Sequence, residues 1–124
     1  MNETLPTEVP SVLGTIRKKL GAEEDYTHFD ADILTIINAS FLTLYQLGFE
    51  KDKGIIRIED ETTTWEDVID VERYSWVKDY IAICVRLVFD PPSSSFVMDM
   101  LKATKDEYEW RLWIQKDMEG SDIL

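Results

Sequence analysis

The stretch Tyr74–Trp113, YSWVKDYIAICVRLVFDPPSSSFVMDMLKATKDEYEWRLW, decides the fold. In its first arm Val77, Ile81, Cys84, Val85 and Val88 recur three and four residues apart, the spacing that puts side chains on one helical face. Asp90-Pro91-Pro92 then stops the helix near Phe89, because Pro91 drives Asp90 out of the α region and neither proline can donate to a helical ladder. Ser94 or Ser95 supplies an oxygen to cap the orphan N–H groups of a new helix. The second arm sets Val97, Met100, Leu101, Thr104, Tyr108 and Leu112 at helical spacing. So short a corner predicts that the arms fold back as an antiparallel pair.

Upstream, Val12, Leu13, Ile16 and Leu20 predict a helix over 12–20, opened by Pro10 or Ser11. Arg17, Lys18 and Lys19 fall in its last turn, the right sign for a helix C-terminus, and Gly21 suits the left-handed residue beyond it. Residues 22–28 form an acidic loop, and Thr27 with Asp30 resembles a capping box. A second helix is expected from about Phe29 to Gln46. Its broad apolar stripe, Ile33, Ile36, Ile37, Ser40, Phe41, Leu44 and Leu47, suits the middle of a helical domain, and Gly48 closes it. After a turn over 50–54, Ile55, Ile56 and Ile58 predict one edge strand or plain extended chain. Thr64 is placed to cap a short helix over Trp65–Ile69. The last helix should end near Gln115 or Lys116. The whole chain is thus one mostly α domain, a small bundle of four main helices with a short one. Residues 1–10 and 117–124 are expected to be flexible.

Composition narrows function. The chain has 124 residues, 44% of them apolar, and a formal net charge of −12. That charge argues against a phosphate-gripping surface and against an anionic membrane surface. It serves solubility, or it marks a surface that repels DNA, mimics it or meets a basic partner. Seven acids and no basic residue occupy the span from Glu59 to Glu72, read as a solvated face. The alternating pattern of a calcium loop is absent there. Cys84 is the lone cysteine and His28 the lone histidine, so neither a disulfide, a cysteine zinc site nor a histidine triad can be assembled. No glycine-rich phosphate loop occurs, no cofactor is implied, and the reading is of a non-enzyme. MNETLPTEVP has no secretory pattern, and no apolar run approaches membrane-spanning length.

The aromatics are more telling. If Val97, Leu101, Tyr108 and Leu112 face the domain, Trp110 and Trp113 flank Arg111 on another side. They either wrap the edge of the domain's own core or offer themselves to a partner, since aromatics and Arg are enriched at interfaces. Trp76 is expected beside the core.

The corner Phe89-Asp90-Pro91-Pro92-Ser93-Ser94-Ser95-Phe96, with Glu109-Trp110-Arg111-Leu112 after it, resembles the head–tail connector, or adaptor, proteins of long-tailed DNA bacteriophages. Val77-Lys78-Asp79-Tyr80 with Arg86-Leu87, the Trp65-Glu66-Asp67 turn, Leu20-Gly21 and Leu47-Gly48-Phe49 fit the same layout, from about Val12 to Leu112. Residues before Pro10 and after Lys116 match nothing in that pattern. The resemblance implies a helical structural virion protein that joins the portal of a DNA-filled head to the tail. It implies a ring of about a dozen copies, in which a head-to-tail contact needs two different patches per subunit. It implies portal and stopper or tail-completion proteins as partners, and DNA passing without specific binding. By the same resemblance Trp110, Arg111, Trp113 and Ile114 become portal-facing candidates. The basic corner Arg17, Lys18 and Lys19 is the candidate subunit contact, facing the acids of Glu59 to Glu72. The virion's head–tail junction is the expected location, after assembly in the host cytoplasm. The competing readings are an acidic helical regulator that inhibits a host protein by imitating DNA, and a generic helical interaction module.

Overall fold

A computed structural model describes residues 10–21, 27–50 and 53–121. Five helices occur in order: α1 Val12–Lys19, α2 Asp30–Gln46, α3 Trp65–Val68, α4 Trp76–Phe89 and α5 Ser95–Ser121. Among the described residues there is no strand. A single antiparallel bridge joins Ser11 to Thr64, next to a Val12 N–H bond to the Thr63 carbonyl at 3.0 Å.

The helix α4 is the central element, because it packs on α1, α2 and α5. Its Val77, Tyr80, Ile81, Cys84 and Val85 are buried. They meet Ile33, Ile37, Phe41 and Leu44 of α2 and Val12, Leu13 and Ile16 of α1. Each such side chain contributes roughly 1.5–3 kcal/mol when fully buried. Aromatic rings seal the far end. Phe49 meets Tyr74 edge-on at 4.8 Å, and Trp76 stacks on Tyr108 at 5.3 Å, beside the core as expected. The Tyr80 hydroxyl donates to Glu109 at 2.7 Å and Lys116 Nζ reaches the Tyr74 hydroxyl at 3.5 Å. Later residues of α5 thus lie against earlier residues of α4, which makes the two antiparallel.

The caps explain the boundaries. Ser11 Oγ accepts from the Gly14 N–H at 2.9 Å, and Gly21 takes φ +84° just past α1. Gly48 does the same for α2 at φ +108°. Thr64 and Asp67 form a full capping box on α3, and Ser94 Oγ accepts from the Val97 N–H at 3.3 Å.

Several expectations are corrected. The Thr27–Asp30 capping box does not form: Phe29 occupies the N-cap without a side-chain bond, since Asp30 turns to Arg17 instead. Val88 is 68% exposed and Met100 is 53% exposed; each lies past the arc its helix buries. The last helix continues through Ser121, held by bonds from Gln115 and Lys116 to Glu119. Residues 54–59 take no regular structure and pair with no strand among the described residues. The Asn38 amide of α2 takes the strand's place: its Nδ2 donates to the Ile58 carbonyl at 2.9 Å and its Oδ1 accepts the Ile58 N–H at 2.7 Å. That clamp fixes Ile58, which is 1% exposed, so both backbone groups escape the cost of an unmade bond. The segments 1–9, 22–26, 51–52 and 122–124, with the expectations made for them, lie outside the described residues.

Candidate functional site

The helix α5 has two apolar faces. One carries Tyr108 and Leu112 into the core. At 3.6 residues per turn, Phe96, Met100, Trp110, Ile114 and Met118 fall within an arc of about 80° on the opposite side. Phe96, Trp110 and Met118 are 71, 59 and 62% exposed, and Ile114 is half-buried. Trp113, 46% exposed, lies about 60° beyond this arc on the Trp110 side. It stacks on Trp110 with centroids 5.8 Å apart and planes 19° from parallel. The pair therefore does not wrap the subunit's own core; its rings stand open to solvent. On the other flank of the arc Arg111 bends back to Glu107, Nε to Oε2 at 2.7 Å, and both are exposed. A shallow depression lies alongside, lined by Trp110, Arg111, Ile114, Gln115, Met118 and Glu119.

Three of the four portal-facing candidates, Trp110, Arg111 and Ile114, thus line one depression, and Trp113 joins them only through its stack on Trp110. Phe96, Met100 and Met118 belong with them and were missed by the sequence reading. The signal was present as a second apolar series interleaved with the first along one helix.

The basic corner divides. Arg17 is 4% exposed and its guanidinium is taken up inside the subunit. Nε and one terminal nitrogen hold the two Asp30 oxygens at 3.1 and 2.8 Å, and the same terminal nitrogen meets Glu61 at 2.9 Å. The hydrogen bond to Asp30, set against a smaller cost of burial, holds the Arg17 charge more firmly than usual. One acid of the Glu59–Glu72 span thereby pairs with the corner within a single chain. Lys18 and Lys19 remain at the surface, the latter 4.0 Å from Asp79.

Two buried titratable groups are held protonated. Burial pushes the Cys84 thiol up, away from thiolate chemistry. Burial, reinforced by Glu109, keeps the Tyr80 phenol protonated. Among the described residues no three His, Cys, Asp or Glu side chains gather as metal ligands, and no helix is long and apolar enough to cross a membrane. What the surface offers is exposed aromatic area with an ion pair on its flank.

No curated protein and no solved structure matches this chain. A family model described as phage connector protein matches residues 12–119, from the first residue of α1 almost to the end of α5. The chain belongs to the phage connector protein family.

Proposed function

We propose that this phage connector sits at the head–tail junction of the virion, joining the portal to the tail as a ring that extends the DNA channel. The observation that carries this reading is the stacked, solvent-open Trp110–Trp113 pair on a subunit whose core is already closed by Leu112 and Tyr108. Large apolar rings left half open to solvent in the C-terminal half of a long helix suit a partner, and interface hot spots draw on Trp and Arg. In this reading Trp110, Arg111, Trp113 and Ile114 meet the portal, while stopper or tail-completion protein docks on the opposite side of the ring. Lys18 and Lys19 supply the basic half of the contact between neighbouring subunits. The net charge of −12 keeps the channel wall from gripping phosphates.

The test is electron microscopy and co-sedimentation of the purified chain with DNA-filled, tailless heads. A ring of protein at the portal vertex that disappears when Trp110 and Trp113 are both changed to Ala supports the reading. Free protein that stays in the supernatant, with heads that acquire tails without it, defeats the reading.

A further inference from the structure

The outer face of α5 has an order that portal docking does not call for. Its apolar positions are arranged symmetrically about Glu107. Phe96 and Met118 stand equally far from it on either side, and so do Met100 and Ile114. Two such helices laid antiparallel, with Glu107 opposite Glu107, bring Phe96 of each onto Met118 of the other and Met100 onto Ile114. Trp110, the largest side chain on the face, falls beside Ala103, the smallest. The two Glu107–Arg111 pairs, each closed at 2.7 Å within its own chain, meet at the centre with alternating charge. Like charges would otherwise oppose each other there.

The area is sufficient. Phe96, Met100, Trp110 and Met118 are 71, 53, 59 and 62% exposed. At roughly 200 Å² for a fully open large side chain they leave on the order of 500 Å² of apolar surface per copy. A standard interface covers about 800 Å² per partner, some 60% of it apolar, so these four side chains match what a stable pair needs. The contact would run about 33 Å along the helix, a length suited to the shallow crossing of coiled-coil packing.

We infer that, free of other virion proteins, two copies of this chain pair through the outer faces of α5, antiparallel about a two-fold axis at Glu107. Such a contact is isologous and closes on itself, whereas a ring needs heterologous contacts. The pairing covers the aromatic surface until a competing partner opens it. It stands on the face itself and does not depend on the portal reading.

The test is sedimentation velocity of the full chain across micromolar concentrations. The expected species has twice the 14.5 kDa chain mass. Met100→Glu and Ile114→Lys should each weaken pairing at least about tenfold, by placing a charge against an apolar partner. Mixing the two variants should restore a heterodimer, because their new charges then face each other. Glu107→Cys should cross-link to itself on mild oxidation, and Lys102→Cys, at the side of the helix, should not. That readout remains if Ile114→Lys disturbs folding. A wild-type chain that stays monomeric throughout overturns the inference. So does a larger assembly without portal, or a dimer whose Glu107→Cys form fails to cross-link. A monomer that still caps portals would overturn the pairing alone, and a dimer that never engages heads would overturn only the portal reading.

Discussion

Replacing Trp110 and Trp113 by Ala separates a docking role from a structural one, and the structure sets the size of the effect. Trp110 is 59% exposed and Trp113 46% exposed. With about 250 Å² for a whole tryptophan, the open areas are roughly 150 and 115 Å². At about 25 cal/mol per Å² their full burial is worth roughly 3 to 4 kcal/mol for each ring. Ordering and desolvation at an interface consume part of that gain. The expected loss of portal affinity is therefore about 2 kcal/mol for Trp110→Ala, near thirtyfold, somewhat less for Trp113→Ala, and over a hundredfold for the pair. Because about half of each ring is already covered by the subunit or by the other ring, unfolding free energy should fall by about 1 kcal/mol or less per ring, short of the binding loss. Affinity is read by surface plasmon resonance on immobilised portal, at concentrations where the free chain is monomeric, with urea melts of the same samples. Affinities within about threefold of wild type would refute the reasoning, as would a loss of binding matched by an equal loss of stability.

The clamp, the buried guanidinium and the capping box give three further expected outcomes. Asn38→Ala should cost about 2–3 kcal/mol, since it orphans a buried N–H and C=O on Ile58; denaturant melts read it, and Asn38→Asp should be worse near neutral pH than in acid, where a protonated carboxyl regains a donor. Arg17→Met should cost about 1–3 kcal/mol in the same melts, less than for a fully buried pair because Asp30 and Glu61 keep 22 and 58% side-chain exposure. Backbone and side-chain bonds from Thr64 hold the Asp67 carboxyl below its ordinary value; the stability it lends is therefore present above the unfolded value near 3.8 and lost as pH falls through the folded one. Melting temperatures between neutral and strongly acidic pH should fall less steeply for Asp67→Asn.

Much of this fold was legible because local chemistry and tertiary packing agree. The proline-serine corner, the glycines after α1 and α2, and the Thr64 cap each act within a few residues, and each appears where its residue types place it; that Asp67 completes the cap as a box came only with the structure. The α2 stripe is buried as its spacing requires. The errors fall where a distant group intervenes. Asp30 had a plausible local role as a cap, but Arg17 offers its carboxylate two charged bonds, which are stronger. The segment at Ile55–Ile58 pairs with no strand, and at Ile58 a side-chain amide stands in for one, which no periodicity announces. Met100 was assigned inward because α5 carries two apolar series, and spacing alone does not say which one the domain buries. The open Trp110–Trp113 pair was legible as a side of the helix, but not as a stacked surface. The basic corner was legible only as charge: that Arg17 is consumed internally while Lys18 and Lys19 are not depends on where Asp30 and Glu61 arrive.

The Asn38 clamp also governs how this protein can change in length. A β-ladder would tie several consecutive residues to a partner, and any insertion would shift them all to the wrong face. Here one side-chain amide grips the N–H and the C=O of one residue, so just ahead of α3 the backbone is hydrogen-bonded to α2 at Ile58 alone among the bonds described. Insertions beside the Gly54 turn, after the buried Phe49 that meets Tyr74 and before the half-buried Ile56, should leave α3, α4 and α5 undisturbed, provided an apolar residue still arrives at the amide. From Ile58 to Trp65 no such freedom exists, because the Thr63 carbonyl must reach the start of α1. The stretch of chain after α2 is thus a place where related proteins can diverge in size while the helices keep their spacing.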